Sequence, residues 1–201
     1  NRYGATHVST GIILRTAIRE GTEIGRAAER MVKEGKLVAD HIVRKMAEDA
    51  ITELGFDNFV LDGYPRTIEQ AEWLTEYLDG HAAPLEAVIS IDVPDERIVL
   101  RLSQRRMHKE THEIYHLEFH PPPADVPAEM LIQRKDDRPE AIQKRLDVYH
   151  NQTKPLEDYF ADQGLLHTVD GFGTIEVIYA RIAHVLVNTV ADFGRRVVTH
   201  A

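Results

Sequence analysis

The chain has no cysteine among its 201 residues. That excludes a disulfide framework and any thiolate-held metal, and it fits a reducing compartment. No uncharged apolar run approaches the length of a bilayer span. Basic residues are outnumbered by acidic ones, and a formal net charge of −9 argues against a surface that coats nucleic acid. Lysine is scarce: 7 of the 24 basic residues are Lys and 17 are Arg. A guanidinium grips phosphate oxygens with a planar fork and an ammonium does not, although a lineage bias explains the count equally well. A last absence is the glycine-rich loop G-x-x-x-x-G-K-[ST] that cradles nucleotide phosphates; it occurs nowhere in the sequence. What remains, 43% hydrophobic and 28% charged residues, is enough for one core-forming domain with an insertion.

Short apolar runs at Thr6 to Ser9, Phe59 to Leu61, Ala87 to Val93 and Leu165 to Val169 read as strands. Helical patterns lie between them: Ile12 to Glu20, Glu23 to Glu34, Asp40 to Leu54, Ile68 to Leu78, Asp95 to Met107 and Pro139 to Asp162. Such alternation predicts an α/β fold with a parallel sheet. A last helix starts near Thr174, with an apolar stripe through Ile178, Ile182, Val185, Leu186, Val190 and Phe193. Gly194 ends it, and the tail to Ala201 is expected to be loose. His108 to Asp137 carries Pro121-Pro122-Pro123 and the alternating stretch Ile114 to Phe119, which reads as a small β-rich insertion.

Two segments carry chemistry. Phe59-Val60-Leu61 runs into Asp62-Gly63-Tyr64-Pro65-Arg66-Thr67, with Gln70 just beyond. A strand ending in Asp-Gly sets a carboxylate and a backbone N–H at the carboxyl edge of a sheet, where open α/β sheets bind ligands. Asp62 there could hold hydrated Mg²⁺, and Arg66 could bind phosphate. An ordinary strand–turn–helix with Arg66 in solvent explains that stretch about as well. The second segment is Ser9-Thr10-Gly11, with Arg15 beyond it.

These stretches resemble the adenylate kinases. D-G-Y-P-R-T-I-E-Q-A is similar to that family's monophosphate-binding D-G-F-P-R-T-x-x-Q-A, with Tyr64 for Phe. S-T-G-I-I-L-R, E-G-K-L-V-A-D, I-Y-H-L-E-F-H-P-P, R-K-D-D-R-P-E-A-I-Q-K-R-L and V-D-G-F-G-T resemble further family segments in the same order, from Tyr3 to about Leu186. The resemblance implies a P-loop-kinase-like parallel sheet flanked by helices. It places a core at residues 1–107 and 138–201, AMP-binding helices at about 10–40 and a lid at 108–137. It implies reversible phosphoryl transfer from ATP to AMP, with Mg²⁺ on the ATP. For AMP it implies Thr10, Arg15, Lys36, Leu37, Val38, Gly63, Tyr64, Arg66 and Gln70, joined by Arg134 and Arg145. For ATP it implies Arg101, Arg105, Ile114, Tyr115 and Gly173. Arg66, Arg105, Arg134 and Arg145 would be catalytic, and Asp136 and Asp137 would form the lid network. The partners are ATP, AMP and ADP, with no nucleic acid and no membrane. A monomer in the cytoplasm is expected, organelle targeting staying open because the chain opens on Asn1 rather than Met.

The sequence departs from the family's pattern in three places. Ile12 stands where the family usually has Asp. His108, His112, His116 and His120 recur every four residues in the lid, where some relatives bind zinc through cysteines. In an extended segment these would share one face, which is no tetrahedral cage, so zinc is not expected. The phosphate loop is absent, and the resemblance makes its strand central. Its removal would leave buried backbone unpaired on both neighbours. The 201 residues are therefore expected to be part of the working protein and to turn over slowly alone. A nucleotide-binding protein impaired in catalysis, and a kinase of another monophosphate, are the rival readings.

Overall fold

The computed structural model describes residues 5–33, 38–190 and 197–200, the last stretch as backbone. The chain runs β1 (Thr6–Ser9), α1 (Thr10–Glu20), α2 (Glu23–Lys33), α3 (Asp40–Glu53), β2 (Phe59–Asp62), α4 (Ile68–Gly80), β3 (Ala87–Asp92) and α5 (Asp95–Ser103). A small unit follows with β4 (Arg105–His108), β5 (Ile114–His116) and β6 (Leu131–Ile132). Then come α6 (Pro139–Val148), α7 (Pro155–Asp162), β7 (Leu166–Asp170), α8 (Ile175–Thr189) and β8 (Val197–His200).

The main sheet has the order β1-β2-β8-β3-β7, every pair parallel. Alternation along β3 splits the core into two layers. Val88 packs with Phe59, Leu61, Leu74, Leu156 and Phe160 on the side of α3, α4 and α7. Ala87 and Ile89 face the other way, toward Val169 and the α8 residues Ile182, Val185 and Leu186. All strands being parallel, their carboxyl ends share one edge. β1 delivers Ser9-Thr10 there, and β2 delivers Asp62-Gly63. Among the described residues no helix is long and apolar enough to cross a membrane.

The helices against the site are locally specified. The hydroxyl of Thr67 caps α4 by accepting from the Gln70 N–H at 3.2 Å. Gly25 lets α2 lie close on α1: a Cβ there would sit 2.1 Å from the Ala17 carbonyl oxygen. Gly25→Ala is therefore expected to force the two helices apart. A loss of about 1–3 kcal/mol is expected from overpacking, read as a lower urea midpoint with unchanged slope.

Three boundaries differ from expectation. The helix that the sequence pattern carries to Met107 stops at Ser103. The Ser103 carbonyl accepts from Arg106 Nη1 and Gln133 Nε2, both at 3.0 Å, rather than from a next helical turn. Arg105–His108 is thereby free to pair antiparallel with β5 and β6. The single helix expected over Pro139 to Asp162 is interrupted by a π-turn at Tyr149–Thr153, just before Pro155, which has no N–H to donate.

The third difference is the largest. The tail expected to be loose contains β8, at the middle of the sheet between β2 and β3. Phe193 and Gly194 lie outside the described residues. The reason is the slot itself: two parallel strands with facing N–H and C=O groups gain ladders on both sides from any extended segment that enters. The unpaired neighbours expected from the missing phosphate-loop strand are thus paired.

Candidate active site

Thr10 and Gly63 tie the two chemical segments together. Buried Thr10 opens α1, and its hydroxyl donates to the Gly63 carbonyl at 3.3 Å. Arg66 Nε donates to the same carbonyl at 2.7 Å. Gly63 has a φ of +71°, and a Cβ there would stand 2.8 Å from Arg66 Nη2. The backbone conformation favours glycine, and a Cβ would push the Arg66 guanidinium from its place. The Thr153 hydroxyl donates to the Arg66 carbonyl at 2.9 Å, fixing the Arg66 backbone from the π-turn.

Five of the six arginines marked by the sequence converge. Arg15 lies within electrostatic reach of Arg134, Arg105 and Arg145, and Arg66 within reach of Arg145 and Arg15. Two of the five are held by carboxylates. Arg105 makes a two-point pair with fully buried Asp137, and Arg134 does so with Asp136. The structure gives Arg15 and Arg145 no ion-pair or hydrogen-bond partner among the described residues, and Arg66 keeps its terminal nitrogens free. Burial pulls the guanidiniums of Arg15, Arg66 and Arg145 below their ordinary value. Neighbouring cations add to this, Arg134 for Arg15, Arg145 for Arg66 and Arg105 for Arg145, and nearby carboxylates oppose it: Asp136 at Arg145, where it outweighs Arg105, and at Arg15, and Asp62 at Arg66. Yet Arg15 and Arg145 remain solvent-exposed. These cations are crowded yet reachable from solvent, and an anion binding among them would relieve their repulsion.

The sixth arginine is Arg101. It is exposed on α5 and is not among the charges acting on Arg15, Arg66 or Arg145. Ile114 is exposed on β5, whereas Tyr115 is buried in the small sheet with its hydroxyl donating to Glu113 at 2.7 Å. Gly173, at φ +136°, follows β7 in a loop that Arg181 braces through the carbonyls of Asp170 and Phe172. Val38 and Tyr64 are buried; Lys36 and Leu37 lie outside the described residues. The exposed side chain at Ile12 brings no charge to the edge.

The expected single face of histidines does not form. His108 ends β4, His112 sits in a turn at φ +59°, and His116 ends β5 opposite His120. Both ring nitrogens of His116 are used, Nδ1 accepting from Glu118 and Phe119 N–H and Nε2 meeting the Arg101 carbonyl. Among the described residues no three His, Asp or Glu side chains gather as a metal site. At the main sheet edge Asp62 faces His7 at 3.0 Å. One partly exposed carboxylate suits an ion that keeps most of its water and arrives on a phosphate.

Sequence reasoning passed over Asp40, Thr153 and Arg181. Asp40 closes the E-G-K-L-V-A-D segment and was visible there without a role. In the structure it accepts from Gln70 Nε2 and, at 3.4 Å, from the Thr67 hydroxyl. A hollow of about 100 Å³ adjoins this group, lined by Asp40, Arg44, Tyr64, Gln70 and Trp73. A larger one of about 540 Å³ between α1, α2 and α3 contains none of the arginines.

A parallel sheet whose carboxyl edge gathers five guanidiniums, three of them outside any ion pair among the described residues, beside a small antiparallel sheet is the arrangement of a protein of phosphorylated ligands, in the phosphotransferase class. The comparisons make this particular. The family model described as "Adenylate kinase" matches residues 1–165. The chain is 51% identical over 185 residues to an adenylate kinase of Salinibacter ruber, covering 92% of this chain and 87% of that one. It is 41% identical to those of Methanosarcina barkeri and Carboxydothermus hydrogenoformans, covering 92% of this chain and 88% of each. The chain belongs to the adenylate kinase family.

Proposed function

We propose that the arginine cluster aligns ATP and AMP for direct phosphoryl transfer, giving two ADP. The carrying observation is that Arg15, Arg66 and Arg145 stand within one another's electrostatic reach, none of them in an ion pair among the described residues, while Arg105 and Arg134 are held beside them by Asp137 and Asp136. Phosphoryl transfer asks a protein mainly for alignment and for charge on the equatorial oxygens. An oxygen of the AMP phosphate attacks the terminal phosphorus of ATP, and ADP leaves; no side-chain base is required. Arg15 and Arg66 hold the acceptor phosphate. Arg105, Arg134 and Arg145 bear on the transferring group from the lid side. Thr10, Val38, Gly63, Tyr64 and Gln70 form the acceptor base pocket. The lid strands, with Ile114 and Tyr115, and the loop at Gly173 belong to the donor. Mg²⁺ would supply charge neutralisation on the ATP phosphates, and Asp62 would hold one of its waters.

The test is ADP formation from ATP and AMP in a coupled assay, with GMP, CMP and UMP run as alternative acceptors. AMP is expected to lead by at least about 100-fold in kcat/KM, the range that buried polar mismatches produce. An equal rate with another monophosphate would overturn the acceptor assignment.

A further inference from the structure

Gln70 is almost fully buried, and its amide is oriented by groups that admit one polarity. The Arg66 backbone N–H donates to Oε1 at 2.8 Å. Nε2 donates to Asp40 Oδ1. A backbone N–H can only donate and a carboxylate can only accept, so a flip of the amide would set donor against donor and acceptor against acceptor. Asp40 is itself held by the Thr67 hydroxyl, which also caps the helix carrying Gln70. One Nε2 hydrogen and one Oε1 lone pair are left for a ligand, in a fixed order.

We infer that Asp40 is a positioning residue for base selection: it locks the Gln70 amide to match a 6-amino purine and to oppose a 6-oxo purine. This rests on the reading that Gln70 meets the acceptor base. The hydrogen-bonding edge of adenine offers a donor amino group beside an unprotonated ring nitrogen. Hypoxanthine offers a carbonyl beside a ring N–H, the reverse order at nearly the same shape. To bind it, Gln70 must turn over and break both internal hydrogen bonds, one of them to a charge. Bonds to charged groups are the stronger kind.

The test is equilibrium binding of AMP and of inosine monophosphate by calorimetry to the parent chain and to Asp40→Ala, Asp40→Asn and Gln70→Ala. Asp40→Ala is expected to reduce the preference for AMP about tenfold, as one strong hydrogen bond warrants. Asp40→Asn, whose amide oxygen still accepts from Nε2, is expected to restore most of it. A merely structural Asp40 would weaken both ligands alike and leave the ratio unmoved; that result overturns the lock. Should Asp40→Ala not fold, Asp40→Ser read in the same way decides the matter. If Gln70→Ala also leaves the ratio unchanged, Gln70 does not meet the base, and the acceptor-pocket reading fails with it. If Gln70→Ala collapses the ratio while the Asp40 variants do not, only the lock is wrong.

Discussion

Replacing Arg145 with alanine is expected to cut kcat/KM for ADP formation by about 100-fold or more with little change in stability. Loss of a single preorganised donor to developing charge has that size, roughly 3–4 kcal/mol. The stability half of the expectation comes from the structure. Arg145 lies on the exposed side of α6, with no ion-pair or hydrogen-bond partner among the described residues, so its removal leaves no buried group stranded. Arg105 makes the opposite case. Its partner Asp137 is fully buried, and breaking such a pair from one side costs about 3–5 kcal/mol. Arg105→Ala should therefore lose activity and stability together. Arg145→Lys keeps the charge but not the fork, and is expected to fall between parent and alanine. Rate and urea midpoint measured on the same preparations separate the cases. Arg145→Ala within threefold of the parent rate would remove this side chain from the transfer step.

How far the sequence carried the reading differs from residue to residue. β2 and β3 were legible because a short apolar run before Asp-Gly, or a β-branched run before Pro94, has few other readings. The arginine convergence was legible through the resemblance alone, since no spacing between positions 15, 66, 105, 134 and 145 announces a shared cluster. β4 was missed because R-R-M-H continues a helical pattern, and only the Ser103 carbonyl being taken by side chains shows why the helix stops. The role of Asp40 needed the third dimension: the carboxylate lies 30 residues before the amide it orients. β8 was invisible for another reason. V-V-T-H is too short to carry a period, and its strand state depends on a slot made by β2 and β3.

That slot carries the second large expectation. Deleting residues 197–201 should abolish cooperative unfolding of this 201-residue chain. β8 pairs with Val60, Leu61 and Asp62 on one side and with Ala87, Val88, Ile89 and Ser90 on the other. Without it, both rows of backbone groups face each other across an empty strand position. Each buried unpaired group costs about 1–3 kcal/mol, so a handful consumes the roughly 5–15 kcal/mol that holds a domain together. Val198→Pro is the milder form, because a central strand does not accommodate the missing N–H. AMP affinity should fall with the sheet, since β2 sets the position of Asp62 and Gly63. An unchanged thermal midpoint after deletion would show that β8 does not hold the centre. The resemblance assigns this same central position to the strand that leads into a phosphate loop. Two parallel strands cannot share one slot, so a protein carrying that strand as well is expected to release residues 197–200. Limited proteolysis would then clip the C-terminal segment early, whereas in the 201-residue chain it should resist as long as the sheet does.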